Sequence, residues 1–183
     1  MNRLNIILVI LTTFIVVFCQ SSVEFIRNWL GAQPDLLPGL VIYAALTSGL
    51  GLATSVAMLG GLWTDSLSRN PLGISILPLF LTGVIIEGYR GLILRDQTYA
   101  QLVIGAWVSA AVPALTLLLI LNTSMTPMVG WSSLWQWIVV TLIGGLMTPV
   151  WFWVFGWLLR GLSYEALPDP MSQANRQLKR GRS

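Results

Sequence analysis

A chain of 183 residues with 55% hydrophobic and only 9% charged residues carries too few charges to cover its apolar surface in water, where an average soluble domain has about 25%. The bilayer is its natural solvent, and the simplest organisation is one membrane domain (residues 1–166) followed by a basic cytoplasmic tail (167–183). The single cysteine, Cys19, excludes an intramolecular disulfide, and the lack of histidine excludes a histidine-ligated metal or a histidine general base.

The first apolar run, about Leu4 to Phe18, follows Arg3 and reads as an uncleaved first helix, because no small-x-small cleavage pair comes after it. A polar, mixed segment from Gln20 to Asp35 contains Glu24, Arg27 and Trp29 and suits a short interfacial helix. Pro34-Asp35 then opens an apolar stretch reaching about Leu62, too long for one ordinary span and short for two. Its middle, Thr47-Ser48-Gly49-Leu50-Gly51, supports a tight turn, so the stretch divides into spans two and three, with the third able to continue past Trp63 toward Ser66. Span four is expected over about Leu72–Ile86, span five over Gln101–Leu121 and span six over Leu134–Leu159. The fold class is therefore an all-α integral membrane protein, a bundle of six transmembrane helices.

Charge orients these spans. With the N-terminus inside, Arg3, Arg90, Arg95, Arg160, Arg176, Lys179, Arg180 and Arg182 fall on the inner side, and only Arg27 and Arg69 fall outside. That is a strong positive-inside bias, whereas five spans would put Arg3 and the tail on opposite faces. Both termini are thus expected in the cytoplasm. The tail cluster either attracts an anionic leaflet or only fixes topology. Trp63, Trp131 and Trp135 near the outer boundaries, and Trp151, Trp153 and Trp157 near the inner end of span six, suit amphipathic rings at headgroup level.

Gly49, Ala53, Ala57 and Gly61 recur every fourth residue and share one helical face of span three. Small residues let helix backbones approach closely, so this stripe serves packing within the bundle or receives a partner's helix. Ala106, Ala110 and Ala114 repeat the pattern in span five. Pro78, Pro113 and Pro149 lie inside spans four, five and six, where each removes a backbone donor. Asp65 and Arg69, and likewise Glu87 and Arg90, are spaced to pair near helix ends.

No catalytic set emerges. The only lysine is Lys179 in the tail, Asp35, Asp65 and Asp96 all lie near span ends, and no glycine loop has phosphate-binding spacing. No enzymatic activity, cofactor or metal is expected.

The segment Gly60–Gly73 reads Gly-Gly-Leu-Trp-Thr-Asp-Ser-Leu-Ser-Arg-Asn-Pro-Leu-Gly. It resembles the best-marked segment of the rod shape-determining protein MreD family, through Gly61, Leu62, Asp65, Leu67, Ser68, Pro71, Leu72 and Gly73. Pro34-Asp35 at the start of span two fits as well, and the resemblance extends over roughly Pro34–Leu159. It implies a fold similar to the substrate-binding components of energy-coupling factor transporters. It also implies a non-enzymatic inner-membrane subunit of the bacterial elongation machinery. MreC would be its partner, with RodA and its transpeptidase partner and the MreB filaments as further contacts, alongside membrane lipid and without nucleic acid. The structural signature is then the turn carrying Gly61, Asp65, Arg69, Pro71 and Gly73, in which Asp65 caps amides of the following turn and Pro71 suits a helix start.

A reading from another class is a substrate-binding component of a small-molecule, vitamin-type transporter. It predicts a polar pocket, for which Thr47, Ser48, Thr54, Ser55, Thr82, Ser109 and Thr116 offer hydroxyls.

Overall fold

The computed structural model describes residues 3–22, 31–68, 71–91, 97–122 and 130–162. Among these residues there are six α-helices and no strand: α1 (Arg3–Ser22), α2 (Leu37–Ser48), α3 (Leu50–Leu67), α4 (Ile76–Gly88), α5 (Thr98–Asn122) and α6 (Trp131–Leu162). Three of them contain stretches long and apolar enough to cross a membrane, Asn5–Ser22, Thr98–Asn122 and Ser133–Gly161, while α2 and α4 are shorter apolar helices. The described residues are thus helical in all their regular structure and compatible with a multi-pass membrane protein.

The long apolar stretch after Pro34 divides at Gly49. Gly49 has φ +84°, a left-handed conformation that disfavours any side chain, and its N–H closes α2 by donating to the carbonyls of Ala44 and Ala45. The chain then reverses. Leu37, at the start of α2, lies against Gly60, late in α3. Asn5 in α1 donates to Ser48 Oγ at the end of α2 (3.1 Å), and Gln20 at the other end of α1 donates to the Pro34 carbonyl (2.6 Å), so α1 and α2 are antiparallel.

The chain forms two compact units, Met1–Trp153 and Val154–Ser183. In the first, α2–α3 and α3–α4 are the most extensive helix pairs, and α2 sits at the centre with Leu37 through Leu46 all buried. Such a helix needs no amphipathic stripe, because protein surrounds it. In the second unit, the described residues continue α6 to Leu162, with Arg160 Nε donating to the Gly156 carbonyl (3.0 Å).

Two expectations change. Span four does not begin at Leu72: residues 72–75 form a turn, Gly73 adopts φ +95°, and α4 starts at Ile76. Pro71 therefore precedes a turn instead of starting a helix, and its carbonyl accepts from the Ile74 N–H (3.4 Å). Glu87 and Arg90 are joined through the backbone, Arg90 N–H to the Glu87 carbonyl (3.1 Å), and not by an ion pair. The Arg90 guanidinium reaches instead toward Gly49, with Nη1 3.6 Å from the point where a Cβ there would stand. The start of α1, the α2–α3 turn and the end of α4 accordingly share one end of the first unit. Arg27, Arg69, Arg95, Glu24, Trp29, Asp96 and the tail 167–183 lie outside the described residues.

Candidate functional site

Asp65 is the most deeply buried acidic side chain among the described residues, 1% exposed near the end of α3. A carboxylate in such a place must be hydrogen-bonded, since leaving its oxygens bare costs several kcal/mol or more. The turn 72–75 supplies the donors. Oδ2 accepts from the N–H of Gly73 (2.8 Å) and of Ser75 (3.1 Å), and Oδ1 accepts from the Ser75 hydroxyl (2.5 Å). The left-handed Gly73 brings these amides to converge on one side chain, much as successive N–H groups form an anion-binding nest. Asp65 thus clasps the chain between α3 and α4 through uncharged donors. Its expected partner Arg69 lies outside the described residues.

The clasp works together with a close approach one turn earlier. A Cβ on Gly61 would stand 2.9 Å from Ile76 Cα and 3.0 Å from Ile76 N, so the backbone of α4 leans directly on the glycine. One residue before it, Gly60 faces Leu37 and Thr13, and further down α3 Ala53 and Ala57 are buried. The face Gly49–Ala53–Ala57–Gly61 is thereby turned inward and taken up by the chain's own helices. Pro71 and Gly73 complete the junction, which brings Gly61, Asp65, Pro71 and Gly73 together.

A second junction forms where α1 ends and α2 begins. Asp35 is half-buried in the segment before α2, and its Oδ1 accepts from the Leu37 N–H (3.0 Å). Burial raises its carboxyl above the ordinary carboxylate range, opposed by the Leu37 amide and the Gln20 side chain. A carboxyl with a raised folded-state pKa favours the fold when protonated. That contribution is complete below the unfolded-state pKa and is lost as pH rises through the folded-state value. Asp35→Asn keeps an acceptor for the Leu37 amide and removes the buried charge. We expect it to stabilise the protein at neutral pH and to flatten the pH dependence of thermal unfolding. A variant with the wild-type pH profile, or one destabilised at neutral pH, would contradict this account.

Two further polar sites went unnoticed in the sequence. At the Arg90 end, Asn5 accepts from the Tyr43 hydroxyl (3.2 Å) while donating to Ser48, a network whose only signal was an asparagine inside an apolar helix. Between α5 and α6, Gly105 faces Thr148, Ala106 faces Gly145 and Ser109 presses onto Gly144. The Ser109 hydroxyl is fully buried and has no hydrogen-bond partner among the described residues.

Many hydroxyls on the helices return to their own backbone. Thr13 donates to Val9, Thr47 to Tyr43, Ser55 to Gly51, Thr82 to Leu79, Thr116 to Val112 and Thr148 to Gly144. Bonds of this kind satisfy the hydroxyl locally and present its carbon side outward. Among the described residues, no group of three His, Cys, Asp or Glu side chains is placed to hold a metal ion. Comparison with protein-family models, curated proteins and solved structures finds no match to this chain.

Proposed function

We propose that this chain is a non-enzymatic membrane scaffold of a bacterial cell-elongation machinery of the MreD type. In this reading it spans the inner membrane six times with both termini in the cytoplasm. It pairs with MreC and supports the wall-synthesis enzymes RodA and its transpeptidase partner. The observation that carries the reading is the meeting of four of the motif's residues, Gly61, Asp65, Pro71 and Gly73, in one junction where Gly61 and Asp65 are buried. Gly61 admits the α4 backbone, and Asp65 binds the turn that follows Pro71 and contains Gly73. Residues that match a family signature and also form one structural unit support the resemblance more than the same residues scattered over the surface.

The physical chemistry is that of a scaffold. A bundle with little mass outside its helices acts through its lateral faces and short turns, and the clasp fixes the geometry that those faces present. The transporter-component reading draws less support, because four of the seven hydroxyls it would use, those of Thr47, Ser55, Thr82 and Thr116, already donate to backbone carbonyls of their own helices.

The test is a pull-down of the tagged protein from its native membrane in mild detergent. Recovery of MreC and wall-elongation enzymes is the expected result; recovery of a transport ATPase with its coupling subunit would overturn it. Orientation is checked separately, with single cysteines placed in the tail of a Cys19→Ser background. They should be labelled only after the inner face is opened, and labelling in intact cells would refute the cytoplasmic tail.

A further inference from the structure

The lateral surface between α1 and α3 is not smooth. Phe14, Val17 and Phe18 of α1 and Trp63, Ser66 and Leu67 of α3 line an open recess of about 200 Å³. Val17 forms its buried floor, while Phe14, Phe18 and Leu67 stand as half-exposed walls. The walls are mutually braced, with Phe14 edge-on to Trp63 at 5.1 Å and stacked with Phe18 at 6.5 Å between ring centroids. Ser66 contributes the only hydroxyl, and it donates to the Leu62 carbonyl of its own helix (2.7 Å). The atoms that face the recess are apolar and uncharged, so it selects hydrocarbon.

We infer that this recess holds an acyl chain of a membrane phospholipid. It is continuous with the outward face of α1, where Ile7, Leu11, Phe14, Ile15 and Phe18 are exposed along a stretch apolar enough to cross a bilayer. Its walls Phe14 and Phe18 belong to that same exposed face, so a chain lying beside α1 can enter it from the side. A partner's helix fits less well. Helices associate in lipid over small residues, and the small-residue contacts at Gly60, Gly61, Gly105, Gly144 and Gly145 are already filled from within the chain. Bulky rings around a narrow hollow suit a flexible chain better than a rigid cylinder. The inference needs only the membrane placement, so its failure would leave the scaffold reading standing.

Native mass spectrometry of the full-length protein, purified from membranes in mild detergent, tests it. The wild-type protein is expected to retain one phospholipid. Ser66→Phe fills the recess from an exposed position, and displacing even two methylenes from contact should lower occupancy about tenfold with thermal unfolding unchanged. Phe18→Ala removes one wall without adding bulk, and gives the same reading should the larger ring impair folding. Leu142→Phe, on the exposed side of α6, should leave occupancy at the wild-type level. Wild-type protein without a bound phospholipid, equal occupancy in the filled variant, or equal loss in the α6 control would overturn the assignment. So would a bound polypeptide displaced by the same substitution.

Discussion

Replacing Asp65 with alanine is expected to cost about 3–5 kcal/mol, because two amides and a hydroxyl lose a charged acceptor at once in a buried place. The loss should appear as a large fall in the thermal midpoint of the purified protein and in its accumulation in the membrane. Asp65→Asn retains one oxygen but turns an NH₂ group toward donors, so it should recover only part of the loss. The ordering wild type, Asn, Ala is the diagnostic feature. If the clasp is structural, partner recovery in the pull-down should fall in proportion to folded protein. Alanine melting like the wild type would sink the account. Full folding with lost partner binding would instead make Asp65 a contact residue.

The second large effect is expected at Gly61. A Cβ there meets the backbone of Ile76, which cannot swing aside as a flexible side chain can. Gly61→Ala should cost about 1–3 kcal/mol through forced separation of α3 and α4, and Gly61→Leu considerably more. Gly51 provides the contrast within the same helix. Nothing lies within 4 Å of its would-be Cβ, so Gly51→Ala should gain about 0.5–1 kcal/mol from better helix propensity. Opposite signs at two glycines of one helix are hard to obtain by general effects on expression, so the pair is best measured together. Equal tolerance at both positions would show that α4 does not lean on α3 as described.

How much of this was legible in the sequence follows from the reach of each signal. The apolar runs located the helices because hydrophobic length depends on nothing beyond the run itself. The split at Gly49 was visible because a glycine among hydroxyl residues breaks an otherwise continuous stretch. The spacing of Gly49, Ala53, Ala57 and Gly61 identified a close-packing face, but could not say whether an inner helix or a partner occupies it. The start of α4 was misjudged because Pro71 alone permits either a helix or a turn, and the left-handed Gly73 decides for the turn. The i,i+4 rule offered Arg69 to Asp65, since that rule describes only the surface of a continuous helix. Amides returning from a turn eight and ten residues later are invisible to it. The α5–α6 joint was missed for a similar reason, because Gly105, Gly144 and Gly145 acquire meaning only when two distant helices are brought into register.

The central position of α2 has a consequence for tolerance to mutation. At 12 residues it is about 18 Å long, short of the roughly 30 Å hydrocarbon thickness that a single lipid-bathed helix must match. With Leu37 through Leu46 enclosed by neighbouring helices, its medium is protein and not lipid, so bilayer thickness exerts no direct selection on its length. Selection acts on volume. On α6, two thirds of an 18-residue apolar window lies outside the core and one aliphatic side chain can replace another at little cost. Along α2, a methyl group more or less has to be accommodated from every side. A saturation scan should therefore read α2 as a continuous band of intolerance and α6 as an alternating one.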